Sequence, residues 1–256
     1  MPLIIPSLAT MAETPDAREA LVNLLADNPP WRSSFFLYLK GHIRDPRAPL
    51  KILLALKATP HPPTLREIGA YLRLLLDNKL YRSSYYSWLQ FLTPAELNSA
   101  GLLFNGDFAL VPSGLPYDWT ITSGDGATIE IAPKDEHSTD RALSIELGPG
   151  RVDFHPVSQL LSLAPGRYTL SGSFKGDIHG RRGLRWSVEC LTKPRTLAKT
   201  EMFLGDVPRW TGFTTSVEVP ADCEAQSIKL TLDARSASET MVSGVAWFDS
   251  LAILRN

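Results

Sequence analysis

The chain has 256 residues, 44% of them hydrophobic and 21% charged, the make-up of a globular protein with a core to fill. Its 26 basic residues meet 27 acidic ones, for a formal net charge of -1. That balance excludes a general nucleic-acid binder, which carries a basic face, and gives no attraction to an anionic membrane. No stretch approaches the ~20 continuous apolar residues of a membrane span. At roughly 100–200 residues per domain, the length fits one large or two ordinary domains.

The start, MPLIIPSLATMA, is apolar but has no basic residue and contains Pro6, which makes it a poor secretion signal. The expectation is therefore cytoplasmic, or periplasmic or cell-envelope if an export segment lies outside this stretch. Up to about Leu97 the chain reads as helical. Thr14-Pro15-Asp16 places a capping residue before a first-turn proline. Ala20, Leu21, Leu24 and Leu25 follow at helical spacing, and Asn28-Pro29-Pro30 stops the helix. A second helix is predicted from Trp31 to about Ile43. A third begins at Pro46 and carries Leu50, Ile52, Leu53 and Leu56. Pro60 to Pro63 is a break, and around Thr64 a fourth starts, with Ile68, Tyr71, Leu72 and Leu75. A fifth covers Tyr81 to Leu92.

An internal repeat runs through this region. Asp27-Asn28, Trp31-Arg32-Ser33-Ser34-Phe35-Phe36, Tyr38 and Leu39 match Asp77-Asn78, Tyr81-Arg82-Ser83-Ser84-Tyr85-Tyr86, Trp88 and Leu89, and Arg18-Glu19 and Arg66-Glu67 sit at similar places upstream. A repeated helical hairpin cannot bury its apolar face alone and stacks on a neighbour. The pattern resembles a short, degenerate tetratricopeptide-type array. The resemblance implies a helical scaffold that offers a contact surface to a protein partner; the alternative is a helical cap. Trp31, Phe35, Tyr38, Tyr81, Tyr85 and Trp88 are assigned to the interhelical core rather than to a groove.

Thr93-Pro94 to Gly101 reads as a linker, after which alternation takes over. Leu143, Ile145 and Leu147 alternate with polar residues up to Gly148-Pro149-Gly150. Val152 and Phe154 come next. Pro165-Gly166 turns the chain into Tyr168, Leu170, Gly172 and Phe174, and Leu184, Trp186, Val188 and Cys190 follow. Ile228, Leu230 and Leu232 complete the inner rows. Period-two patterning between Gly and Pro turns predicts half-buried antiparallel strands closing into a sandwich. Trp186 and Trp247 are assigned to the core by the same alternation, and Trp119 to a place under the first strand. Cys190 and Cys223 are compatible with a disulfide or with two buried thiols, and their spacing is not that of a zinc site.

Leu103-Phe104-Asn105-Gly106-Asp107-Phe108 opens this half, Pro165-Gly166-Arg167-Tyr168 lies at its centre, and Trp247-Phe248-Asp249-Ser250-Leu251-Ala252-Ile253 closes it. Together these resemble the carbohydrate-binding modules of the galactose-binding-like jelly roll, over about Leu102 to Asn256. The resemblance implies two antiparallel sheets with first and last strands adjacent. It also implies recognition of a polysaccharide or other glycan, with a structural Ca²⁺ where the chain ends of the sandwich meet. Carried over by motif, the metal candidates are Asp107, Asp249 and the carbonyl of Asn105. Ala109 and Ser250 stand where many relatives place acids.

A glycan site needs hydroxyl-bonding polar groups beside an aromatic face. Asp153, His155, Arg185 and Glu189 are the outward polar candidates, and Tyr117 and Trp210 the aromatic ones. Trp119 is a further loop aromatic. No catalytic serine, zinc-protease, P-loop or Rossmann motif is present, and Asp153 with Glu189 is the one carboxylate pair weighed for glycoside hydrolysis. The expectation is thus a non-enzymatic α+β multidomain protein: a helical hairpin array over residues 1–100 and an antiparallel β-sandwich, or jelly roll, over residues 101–256. The alternative function is a structural, protein-interaction adaptor that has lost sugar binding.

Overall fold

The computed structural model describes residues 5–135 and 137–256. The chain divides into two compact units, Met1–Pro94 and Ala95–Asn256.

The first unit is helical: α1 (Ile5–Glu13), α2 (Pro15–Ala26), α3 (Arg32–Tyr38), α4 (Pro49–Leu56), α5 (Leu65–Asp77) and α6 (Tyr81–Leu89). A further short helix, α7 (Pro94–Ser99), begins at its last residue. The start of the chain, read above only as a poor secretion signal, contributes α1. Thr14 caps α2 by position, but its hydroxyl donates to the Thr10 carbonyl at 3.1 Å instead of capping. At α5 the cap is complete. Thr64 Oγ1 accepts from the Glu67 N–H while the Glu67 carboxylate accepts from the Thr64 N–H, so two otherwise orphaned donors are satisfied.

Glu67 also reaches α3. Arg32 Nη2 lies 2.9 Å from Glu67 Oε2, with both side chains almost wholly buried, and Arg32 donates further to the carbonyls of His61 and Pro62 at 2.8 and 3.1 Å. These bonds tie α3 and the proline break to the first turn of α5. The repeat is asymmetric in space. Its first copy buries Arg32, Phe35, Phe36 and Leu39, whereas the second buries Ser84, Ser87 and Trp88 and leaves Arg82 and Tyr86 exposed. Matching letters therefore face different ways, and Arg32 is buried against the Glu67 carboxylate while Arg82 is exposed. The helices pack as α1 on α2, α3 on α5 and α5 on α6.

The second unit is a sandwich of two antiparallel sheets. Its strands are β1 (Ala127–Pro133), β2 (Arg141–Leu147), β3 (Val157–Leu161), β4 (Gly166–Gly180), β5 (Leu184–Cys190), β6 (Arg195–Lys199), β7 (Gly205–Val219), β8 (Gln226–Leu232) and β9 (Val242–Arg255). One sheet has the order β1-β2-β9-β4-β7 and the other β3-β8-β5-β6. The inner rows expected from alternation face each other between the sheets, with Leu143, Ile145, Leu170, Leu184, Trp186, Val188, Ile228 and Leu230 fully buried. Trp119, Trp186 and Phe248 pack ring against ring at 5.7 Å between centroids, contacts that each add ~0.5–1.5 kcal/mol to the area they bury.

Two segments differ from the alternation reading. Val152 and Phe154 are not in a strand. The Asp153 N–H donates to the Asp125 carbonyl at 2.8 Å, and the stretch crosses from one sheet to the other. The opening motif Leu103–Phe108 forms turns and no strand. It lies against β9 all the same: the Leu251 N–H donates to the Gly106 carbonyl at 2.8 Å, and a Cβ on Gly106 would stand 1.9 Å from the Leu251 oxygen. A disulfide joins Cys190, at the end of β5, to Cys223, just before β8, with Cα atoms 5.8 Å apart.

Candidate functional site

In the five-stranded sheet, β9 is the middle strand, flanked by β2 and β4. Ala246 and Phe248 point into the core, so Val245 and Trp247 point out. Trp247 lies opposite Ser144 on one side and Lys175 on the other. Val245 lies opposite Glu146 and Asp177, and Asp177 in turn faces Asp206 on β7. Beside Trp247 there is a cleft of about 260 Å3, walled by Lys175, Asp177, Asp206, Val207, Pro208 and Val245. Its floor requires glycine at 176, where a Cβ would meet the Val245 oxygen at 2.5 Å. Sequence alternation placed Trp247 in the core. The structure corrects this, leaving the indole half-buried on the outer face.

Opposite Lys175, the β7 strand breaks register. Its partners on β4 jump from Phe174–Thr211 to Gly176–Val207, so Pro208, Arg209 and Trp210 bulge out of the ladder. Trp210 is 39% exposed. The Lys134 ammonium sits 5.8 Å over its ring and 2.7 Å from Asp249 Oδ2. The hydrogen bond to Asp249 raises the Lys134 pKa, outweighing the opposing effect of burial, and the neighbouring Asp140 and Asp107 charges add to the rise. Asp249 lies across from Ser173, two residues beyond Trp247, so Trp210, Lys134, Asp249 and Trp247 belong to one face.

The other expected ligand groups do not converge there. Arg185 and Glu189 are on β5, in the four-stranded sheet. Each is paired, Arg185 with Asp233 at 3.4 Å and Glu189 with Lys229 at 2.7 Å. Ser187 and Ser227, which alternate outward among them, are buried. Asp153 and His155 lie in the link before β3, 3.5 Å from one another. Tyr117 is 3% exposed and Trp119 is fully buried, its indole N–H donating to the Asn105 carbonyl at 2.8 Å.

The calcium candidates are tested by their oxygens. The Asn105 carbonyl already accepts from Trp119 Nε1 and from the Phe108 N–H at 3.2 Å. Asp107 is exposed and caps the Ala109 N–H. Asp249 holds Lys134 through Oδ2, while its buried Oδ1 has no hydrogen-bond partner and is one oxygen of the several an ion would need. Ca²⁺ takes six to eight oxygens at 2.3–2.6 Å, and this set does not offer them. Among the described residues, no group of three or more His, Cys, Asp and Glu side chains is placed to hold a metal ion.

No family model matches the chain, and no curated protein matches it. Several of the solved structures similar to it, over 51–62% of the chain, are carbohydrate-binding modules. One is a family-4 carbohydrate-binding module, 19% identical with a TM-score of 0.45 over 60% of this chain and 99% of that one. Another is a family-61 module in complex with β-1,4-galactotriose, 17% identical with a TM-score of 0.40 over 62% and 100% of the two chains. The enzymatically active domain of bacteriophage CBA120 tailspike protein 4 is also similar, at 14% identity and a TM-score of 0.41, over 62% of this chain and 21% of that one. The identities and TM-scores are too low to carry a site across to this chain.

Proposed function

We propose that the sandwich binds a glycan on the outer face of its five-stranded sheet and does not cleave it. The observation that carries this reading is Trp247, an indole turned outward from the middle strand beside a cleft walled by Lys175, Asp177 and Asp206. A sugar ring offers C–H groups on its faces and hydroxyls around its rim. An aromatic platform covers the first, and charged or hydroxyl side chains bond the second. Ser144 and Ser173 stand on the same face, and Trp210 supplies a second, more exposed aromatic. The disulfide fits an oxidising compartment.

Affinity electrophoresis and a glycan array test the reading. Trp247→Ala is expected to weaken retention by roughly 30-fold or more, the ~2 kcal/mol of a hot-spot aromatic. Trp210→Ala weakens it less, and Arg185→Ala, on the other sheet, leaves it unchanged. Loss in Arg185→Ala with retention in Trp247→Ala would place binding on the wrong face and sink the proposal, and release of reducing ends would sink its non-catalytic part.

A second reading, an adaptor working through protein contacts, is favoured by apolar side chains on the helical unit. Leu37, Leu65 and Tyr86 are all exposed there. A silent array together with a partner lost in Leu37→Asp and Tyr86→Asp would support it over glycan binding.

A further inference from the structure

We propose that the Lys134 ammonium is the fixed cation of the sandwich, bracing the seam where the opening turn meets β9 in the place a calcium ion would take. The seam needs a positive charge. Asp249 is 6% exposed, and its Oδ1 is buried with no hydrogen-bond partner. A carboxylate in that position is costly unless a cation lies against it. Lys134 supplies one at 2.7 Å from Oδ2, with the Ser250 hydroxyl on the same oxygen at 3.2 Å.

The lysine is anchored at both ends. Its backbone N–H donates to the Asp140 carbonyl at 3.0 Å, closing the turn between β1 and β2. Its ammonium is held between Asp249 and the face of Trp210. An ammonium has three donors and asks for three partners, whereas calcium needs at least six oxygens. The seam meets the ammonium with the Asp249 carboxylate and the Trp210 face and leaves the partly exposed head open to water, whereas its doubly bonded Asn105 carbonyl is not free to join a shell of six oxygens. The proposal does not depend on glycan binding, and its readout is stability.

Thermal unfolding of the full chain tests it, with millimolar calcium chloride or with EDTA. The wild-type midpoints should coincide in the two buffers. Lys134→Met should lower the midpoint on the order of 10 °C by stranding Asp249, and Lys134→Arg, which keeps the charge, should retain most of the stability. If Lys134→Met does not fold, Lys134→Met/Asp249→Asn decides: recovery supports the proposal and failure to recover overturns it. It is also overturned if calcium raises the wild-type midpoint, or if Lys134→Met melts where the wild type does.

Discussion

Removing the disulfide should cost the sandwich about a third of a typical domain's stability. Cys190 and Cys223 are 33 positions apart, and the loop they close contains β6 and the whole of β7. In the chain-entropy description, a cross-link over a loop of this length withholds roughly 12.5 cal/mol/K from the unfolded ensemble, or about 3.7 kcal/mol at 25 °C. For a domain of this size each kcal/mol moves the midpoint by ~2–4 °C, so the expected loss is about 7–15 °C. Both sulfurs are buried, which makes Cys190→Ala/Cys223→Ala a better probe than serine, whose hydroxyl would need a partner in the core. Scanning calorimetry of the oxidised wild type, the reduced wild type and the double variant should give one high midpoint and two matching low ones. Hydrogen exchange should place the loss in the strands of the sandwich. The reasoning is refuted if the double variant melts with the oxidised wild type, or if reduction leaves the midpoint where it was.

In the helical unit, Arg32→Ala should cost about 3–5 kcal/mol in urea unfolding because it strands Glu67; a loss below 1 kcal/mol would show the pair to be idle. Burial pushes the Tyr71 phenol up to about 12. The unfolded chain thus ionises first, and the contribution of this group is complete below pH ~10 and lost as pH climbs toward 12. The loss should approach about 3 kcal/mol, and Tyr71→Phe should flatten it; an equally steep decline in that variant would assign the effect elsewhere. Gly106→Ala should destabilise by ~3 kcal/mol or displace the opening turn, since its Cβ would sit 1.9 Å from the Leu251 oxygen. A variant of unchanged stability that keeps the Leu251–Gly106 bond would contradict that.

Much of the fold was legible because each signal was local. The Pro60 to Pro63 break followed by Ile68, Tyr71, Leu72 and Leu75 at helical spacing marks a helix start, and Leu184, Trp186 and Val188 mark a core-facing strand. The site was less legible, for two physical reasons. Alternation tells which side of its own strand a residue faces, not which sheet the strand joins. Arg185 and Trp210 therefore looked like neighbours although they sit on β5 and β7, in different sheets. Alternation also keeps its phase only while the strand is regular. Counting back from Ile253 and Leu251 puts Trp247 inside. A bulge intervenes, with Ser250 at φ 53° and the register with β4 shifting between Ser171 and Ser173, and it turns Trp247 outward. Gln159 and Gln226 were missed in another way. Both are buried polar residues at inward positions, where one brackets the Phe104 backbone and the other serves the Leu163 N–H. An amide at an apolar phase was the signal available for them.

The placement of β9 bears on how the sandwich is made during synthesis. It is the last strand in the chain, yet it lies between β2 and β4. Until it leaves the ribosome, the β1–β2 hairpin and the β4–β7 ribbon have no shared edge to join them. The nascent sheet must wait with the facing edges of β2 and β4 unpaired, an interval in which a chaperone has something to hold. A chain that stalls before Val242 would present two unjoined ribbons to the cell's quality control, and not a slightly shortened module.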